Sequence, residues 1–348
     1  MTSLDFTEIS LNRLITHHIG NKLRDEKYIL SNEETRIESE TLKLLLKYFL
    51  LPINVEEFYS FTHQLKLELN DIYSVAESIF SNPRKFVSSS KGIAKLLYEQ
   101  SMHPKIKAGE LNIAYFTNSM LNDESVDAIG IFKSESDVPF IKMMNEHSRF
   151  SIKHDYGFDL KGMDKGCVIF NTDAANGYKL LLIDNSSKSG DAQYWKDNFL
   201  QVTPISDDFH QTQEYLGIAK SYITKQLPEE FNVTKADKID LLNRTVEYFK
   251  RNGNFDKEDF ERGVFFNPEM RKSFQNFDTN FREENEIELT NNFEISKQAV
   301  KKQARVFKNV LKLDKNFHVY IHGNTNLIEH GVEKDGRKYY KIYYDKEN

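Results

Sequence analysis

The chain holds a single cysteine, Cys167, in 348 residues. One thiol forms no internal disulfide, and a thiolate zinc site needs several such ligands. Proline (7) and glycine (15) are scarce, which excludes a linker-dominated or collagen-like chain. No apolar run approaches the roughly 20 residues that span a bilayer. The first residues, Met1-Thr2-Ser3-Leu4-Asp5-Phe6, lack the basic-then-apolar layout of a secretory signal. Phosphate-binding glycine loops, His-Glu-x-x-His and Gly-x-Ser-x-Gly are also missing. These absences predict a folded protein of the reducing cytoplasm with no membrane partner, no cofactor, no metal site and no catalytic constellation.

What is present is aromatic and charged. The 26 Phe and 17 Tyr supply a packed core, and the net charge is -6. The charge is unevenly placed: residues 297–315 carry seven Lys/Arg and one Asp, a net of +6, so the remainder sums to -12. An acidic body with one concentrated basic element is a stronger statement about partners than the average charge.

Hydrophobic spacing predicts an α+β fold. An N-terminal antiparallel sheet of five or so strands with flanking helices comes first, and a mainly helical C-terminal region ending in a β-hairpin follows. The expected division is 1–215 and 216–348. Alternation at Ile9-Ser10-Leu11-Asn12 marks a first strand. Helices are expected over Ser39–Leu51, Val55–Phe80 and Ser88–Gln100. Short β-rich runs at Glu110–Thr117, Asp127–Lys133, Pro139–Met144, Cys167–Asn171 and Tyr178–Asp184, separated by turn residues, predict antiparallel hairpins. Helices then return at Tyr194–Leu200 and at Asp208–Leu227, stopped by Pro228. A Thr234-capped helix, a short one from Asp256 and one from Asn267-Pro268 to Phe281 follow. Phe317–Ile321 and Tyr339–Tyr344 are expected to pair as the closing hairpin.

The basic element reads as one amphipathic helix from Ser296 to Lys315. At about 100° per residue, Lys297, Lys301, Arg305, Lys308, Lys312 and Lys315 share an arc of about 80°, with only Lys302 off it. Val300, Ala304, Phe307 and Leu311 form the apolar face. Such a row suits phosphates, and its Lys-rich makeup favours backbone contact over base reading. A solvated face, or a partner for the acidic 278–294 segment, is the competing use. His318, Tyr320 and His322 beside Tyr339, Tyr340, Tyr343 and Tyr344 offer bases a stacking surface, or ordinary half-buried packing.

Other chemistry is thin. His17-His18 are neighbours on a strand and point to opposite faces, which disfavours a metal pair. Cys167 opens an apolar strand and is expected to be a buried, inert thiol. Asp127, Asp164 and Asp184 border predicted strands, as a metal-dependent nuclease requires, but lack the accompanying Glu-x-Lys triplet.

Several segments carry a resemblance. They include His18-Ile19-Gly20-Asn21-Lys22, Tyr48-Phe49-Leu50-Leu51-Pro52, Leu97-Tyr98-Glu99-Gln100-Ser101-Met102-His103-Pro104 and Lys107-Ala108-Gly109-Glu110-Leu111. Asp127-Ala128-Ile129-Gly130-Ile131-Phe132-Lys133, Asp164-Lys165-Gly166-Cys167-Val168-Ile169-Phe170, Gln193-Tyr194-Trp195 and Ala299–Lys308 continue it, as does Tyr320-Ile321-His322-Gly323-Asn324. In this order they resemble the NdpA/YejK-like nucleoid-associated protein family, in its Bacteroidetes-type form. The resemblance implies a cytoplasmic bacterial protein found with the nucleoid, binding double-stranded DNA, and not an enzyme. It assigns no DNA-contact residues, so the basic stripe is the candidate interface. A scaffold docking onto protein partners in DNA maintenance, and a homo-oligomer, are compatible with the same residues.

Overall fold

The computed structural model describes residues 4–53, 57–147, 149–184, 194–285, 287–304, 310–313, 317–320, 327–344 and 346. The chain forms two compact units, Thr2–Ile205 and Ser206–Asn348. The expected boundary at 215 falls inside a helix that lies wholly in the second unit.

The first unit is built on an eight-stranded antiparallel sheet. Its elements are β1 (Leu4–Asp5), β2 (Ser10–Ile19), α1 (Ser39–Leu50), β3 (Tyr59–Phe61), α2 (Asp71–Ser81) and α3 (Phe86–Gln100), followed by β4 (Gly109–Leu121) and β5 (Glu124–Ser134). A ribbon of β6 (Val138–Glu146) and β7 (Arg149–Gly157) leads to β8 (Lys165–Phe170) and β9 (Lys179–Asp184). A π-helical turn, Tyr194–Leu200, and β10 (Val202–Pro204) close the unit. The strand order is β1-β4-β5-β8-β9-β3-β10, with β2 also paired to β4.

Both faces of the sheet are covered, and the two-residue strand period sorts side chains between them. Ile113, Ile129, Ile131, Cys167 and Ile169 pack with Ile72, Ile79, Phe86, Ile93 and Leu97 of α2 and α3. Ala114, Phe116, Phe132, Val168 and Phe170 pack with Tyr48 and Phe49 of α1. Burial on two sides explains why β8 is a continuous apolar run instead of an alternating one. Phe49 stacks on Phe132 with ring centroids 4.5 Å apart. Gly130 leaves room for this ring, since a Cβ there would sit 2.2 Å from Phe132.

The helix expected over Val55–Phe80 is not one element. Tyr59–Phe61 pairs with β9 and β10, and the helix starts only at Asp71. Asn70 decides that start: its side chain accepts from Tyr73 N at 3.0 Å and donates to Leu200 O at 2.9 Å. Apolar residues three or four apart satisfy a strand and a helix in succession equally well, so periodicity did not separate them.

The second unit is mainly helical. In order it contains α4 (Asp208–Ser221), a π-helical segment Tyr222–Gln226, α5 (Leu227–Glu230), α6 (Lys235–Arg251), β11 (Asn254–Asp256), α7 (Lys257–Val264), α8 (Pro268–Glu284), β12 (Asn292–Glu294) and α9 (Lys297–Ala304). The strands β13 (Val310–Lys312), β14 (His318–Tyr320), β15 (Ile328–Val332) and β16 (Lys338–Ile342) complete it. Pro228 does not stop the helix at 227, because the wider π-helical turn just before it accommodates the residue that lacks an N–H. Thr234 and Asp237 form a reciprocal capping box at the start of α6. Tyr215, Tyr222, Phe249, Phe255, Phe260, Phe265, Phe274 and Phe293 make an aromatic core.

The chain ends in a β-hairpin, but its pairing differs from expectation. Phe317–Ile321 was expected to pair with Tyr339–Tyr344; instead β14 pairs with β13, and β16 pairs with β15. Val319, Ile328 and Tyr340 all pack on Ile239 of α6.

Candidate nucleic-acid interface

The structure overturns the single helix expected over Ser296–Lys315. The helix α9 begins as foreseen: Ala299 N donates to Ser296 Oγ at 3.4 Å, and Ser296 N donates to Thr212 Oγ1 at 3.0 Å. It ends as a described helix at Ala304, and Val310–Lys312 is strand, paired Lys312 to His318 and Val310 to Tyr320. The physical reason is the sequence Val310-Leu311-Lys312, which suits a strand as well as a helix. Pairing with His318-Val319-Tyr320, invisible to a one-segment periodicity, settles the choice.

Of the six predicted contact residues, Lys297 and Lys301 stand one turn apart on α9, both exposed. Lys312 lies on β13. Arg305, Lys308 and Lys315 lie outside the described residues, as does His322. The six are therefore not on one helix face. On the inner side of α9, Ala299 and Val300 are buried, and Lys302, the residue off the stripe, reaches over the Phe209 ring at 5.2 Å.

The acidic 278–294 segment was the proposed internal neutraliser of this element. Of its acids, Asp278 is 1% exposed and turned into the core, while Glu283, Glu284, Glu288 and Glu294 are exposed. Asp278 Oδ2 accepts from Lys257 Nζ at 2.6 Å and Oδ1 from Arg282 Nε at 2.6 Å. The carboxylate is thus spent on two cations of α7 and α8 (with Arg282 in turn 5.2 Å from the Tyr215 ring). Among the described residues, no ion pair joins an acid to Lys297 or Lys301.

The carboxylates weighed for a nuclease do not converge. Asp127 sits at the start of β5, accepting from Tyr115 OH at 2.6 Å. Register pairs Ala128 with Phe170 but Lys133 with Lys165, which puts Asp164 and Asp184 at the far end, about 20 Å or more along the strand from Asp127. Asp164 accepts from Glu135 N at 2.7 Å and Ser136 Oγ at 3.2 Å. Among the described residues no group of three or more His, Cys, Asp or Glu is arranged to hold a metal ion. His17 and His18 do diverge: His17 is buried, while His18 lies 3.3 Å from Glu110 at the surface.

At that far end lies a buried ionic network the sequence did not announce. Lys133 is fully buried, bonded to Glu135 Oε1 at 2.7 Å and Lys107 O at 2.8 Å. Its cross-strand neighbour Lys165 pairs with Asp184 at 3.2 Å and lies 5.2 Å from the Tyr194 ring. Burial draws the Lys133 ammonium below its usual pKa, and the Glu135 carboxylate opposes this. Burial pushes the Tyr194 hydroxyl far up, with Glu135 adding to it. The only sequence signals were Lys133-x-Glu135 closing one strand and Asp164-Lys165 opening another. Both lysines are withdrawn from solvent.

An α+β protein with an acidic body and a cationic element near its C-terminus fits a nucleic-acid-associated class. Residues 15–338 match the family described as nucleoid-associated protein YejK. The chain therefore belongs to that family, and its role is nucleoid-associated. Comparison with curated proteins gives no match. No helix among the described residues is long and apolar enough to cross a membrane.

Proposed function

We propose that the chain binds double-stranded DNA without reading base sequence, through phosphate contacts from Lys297, Lys301, Arg305, Lys308, Lys312 and Lys315. The observation that carries this is the exposure of Lys297 and Lys301 without an ion pair among the described residues. Asp278 is bonded inside the core to Lys257 and Arg282. Membership of a nucleoid-associated family supports the same conclusion.

Loss of the continuous helix changes the expected geometry and leaves the charge intact. Among the described cations, Lys297 and Lys301 lie on a short helix and Lys312 on a following strand, so these three do not line one recognition helix for the major groove. Lysine as a point charge suits backbone contact.

The test is a gel shift on double-stranded DNA across a salt series. If six phosphates are neutralised, affinity falls on the order of a thousand-fold between about 50 and about 200 mM salt. Changing Lys301, Arg305, Lys308 and Lys312 together to Glu is expected to abolish the shift. Unchanged affinity in that variant overturns the assignment of the contact surface. Capture of a nuclease-resistant protein partner with no binding to naked DNA overturns DNA binding itself, in favour of a docking scaffold.

A further inference from the structure

The ribbon β6–β7 pairs over nine residue positions, from Val138 with Gly157 to Glu146 with Arg149. At about 3.4 Å per residue it is about 30 Å long. None of its described side chains belongs to a hydrophobic core among the described residues. Cross-strand partners share a face, so the ribbon has two distinct ones. One face collects Lys142, Lys153, Arg149 and Asp155 with Val138 and Phe140. The other collects Pro139, Ile141, Met143, Phe150, Ile152 and Tyr156, with Asn145 and His154 and no Lys, Arg, Asp or Glu.

The second face lies open to solvent. Ile141 is 71% exposed, Met143 73%, Phe150 76%, Ile152 69% and Tyr156 61%. At roughly 150–250 Å² for a large side chain, this is on the order of 650 Å² of contiguous, mostly apolar surface, above what monomers ordinarily expose. A two-stranded ribbon by itself is also only marginally stable in water.

We propose that this face is a dimerisation surface whose occupant is the same face of a second copy. Two such faces together bury about 1,300 Å², within the size class of specific interfaces. Absence of formal charge lets the face meet itself without like-charge repulsion, and the same absence removes any attraction for phosphates. The ribbon's cations lie on the opposite side. A two-fold axis crossing the middle of the face, between the Ile141–His154 and Met143–Ile152 pairs, makes an isologous contact. It sets Phe150 of each copy over Tyr156 of the other, an aromatic pair at both ends with aliphatic side chains between.

Light scattering on the eluting full-length chain at micromolar concentration is expected to give twice 40.8 kDa. The double variant Ile141→Asp/Ile152→Asp is expected to elute at 40.8 kDa with an unchanged circular dichroism spectrum. Lys153→Gln, on the other face, is expected to remain dimeric. Because Cys167 is fully buried, a cysteine introduced on the ribbon is the accessible thiol. A short bifunctional maleimide is expected to link Ile152→Cys into a covalent dimer and to leave Lys153→Cys unlinked. A monomeric wild-type chain, a dimer that survives the Asp pair, or equal cross-linking from both faces overturns the proposal. Flotation of a monomeric wild-type chain with phospholipid vesicles overturns it in favour of a lipid surface.

Discussion

Replacing Asp278 by Asn tests the separation between the core of the second unit and its basic element. The substitution keeps the side chain's shape and removes its charge. Asp278 is 1% exposed, Arg282 14% and Lys257 23%. The variant therefore leaves two cations around a neutral amide in an aromatic core. Breaking a buried pair on one side costs about 3–5 kcal/mol. At about 2–4 °C per kcal/mol for a unit of this size, the midpoint of thermal unfolding should fall by roughly 6–20 °C. Calorimetry measures this directly, with exposed Glu283→Gln as a control for the same change in net charge. DNA affinity at room temperature should match that of the control. If stability barely moves while affinity rises well above the control, Asp278 neutralises the basic element after all, and the assignment of its charge to the core is refuted.

Other outcomes follow from the same structure. His17 accepts from Ser31 N at Nδ1 (3.0 Å) and meets Ser90 Oγ at Nε2 (3.0 Å), so the folded state holds it neutral. Burial, then the charge of Lys91, lowers its pKa to about 4. With a lowered pKa the unfolded chain binds the extra proton first. Stability is full above about pH 6.5 and is lost as pH falls toward 4, by about 3 kcal/mol at most; chemical denaturation of wild type and His17→Gln between pH 7 and 4.5 should show this loss only in the wild type. Burial pushes the Cys167 thiol far up, so maleimide should label it only after denaturant is added; rapid labelling of the native chain contradicts this. Thr234→Ala removes the hydroxyl that accepts from Asp237 N at 3.1 Å and should cost about 1 kcal/mol in urea unfolding, with Thr234→Ser close to neutral.

Local chemistry was legible wherever the signal is contained in a few residues. Thr234 with Asp237, Asn267 before Pro268, and Asp256 before Lys257 all cap helices as their types predict. Alternation in β2 and β4 distributed Ile113 and Ala114 to opposite faces, because the strand period is two whatever covers the sheet. His17 and His18 diverge for the same reason. The concentration of positive charge between 297 and 315 is likewise a property of composition and did not depend on folding.

Partners distant in sequence decided the remainder. Val310–Lys312 left its helical pattern because His318–Tyr320 offered a strand, and Tyr59–Phe61 did so because β9 and β10 were there to pair with. Asp278 looked like a surface acid until Lys257, 21 residues earlier, was brought to 2.6 Å. Lys133 and Lys165 became a buried pair only through the register of β5 with β8. The exposed face of β6–β7 was half visible in Ile141 and Met143, but its other half, Phe150, Ile152 and Tyr156, needed the antiparallel pairing to place it on the same side. Spacing along the chain determines which residues can share a face; only the partner that covers or neutralises that face determines what it does, and that partner is chosen by tertiary structure.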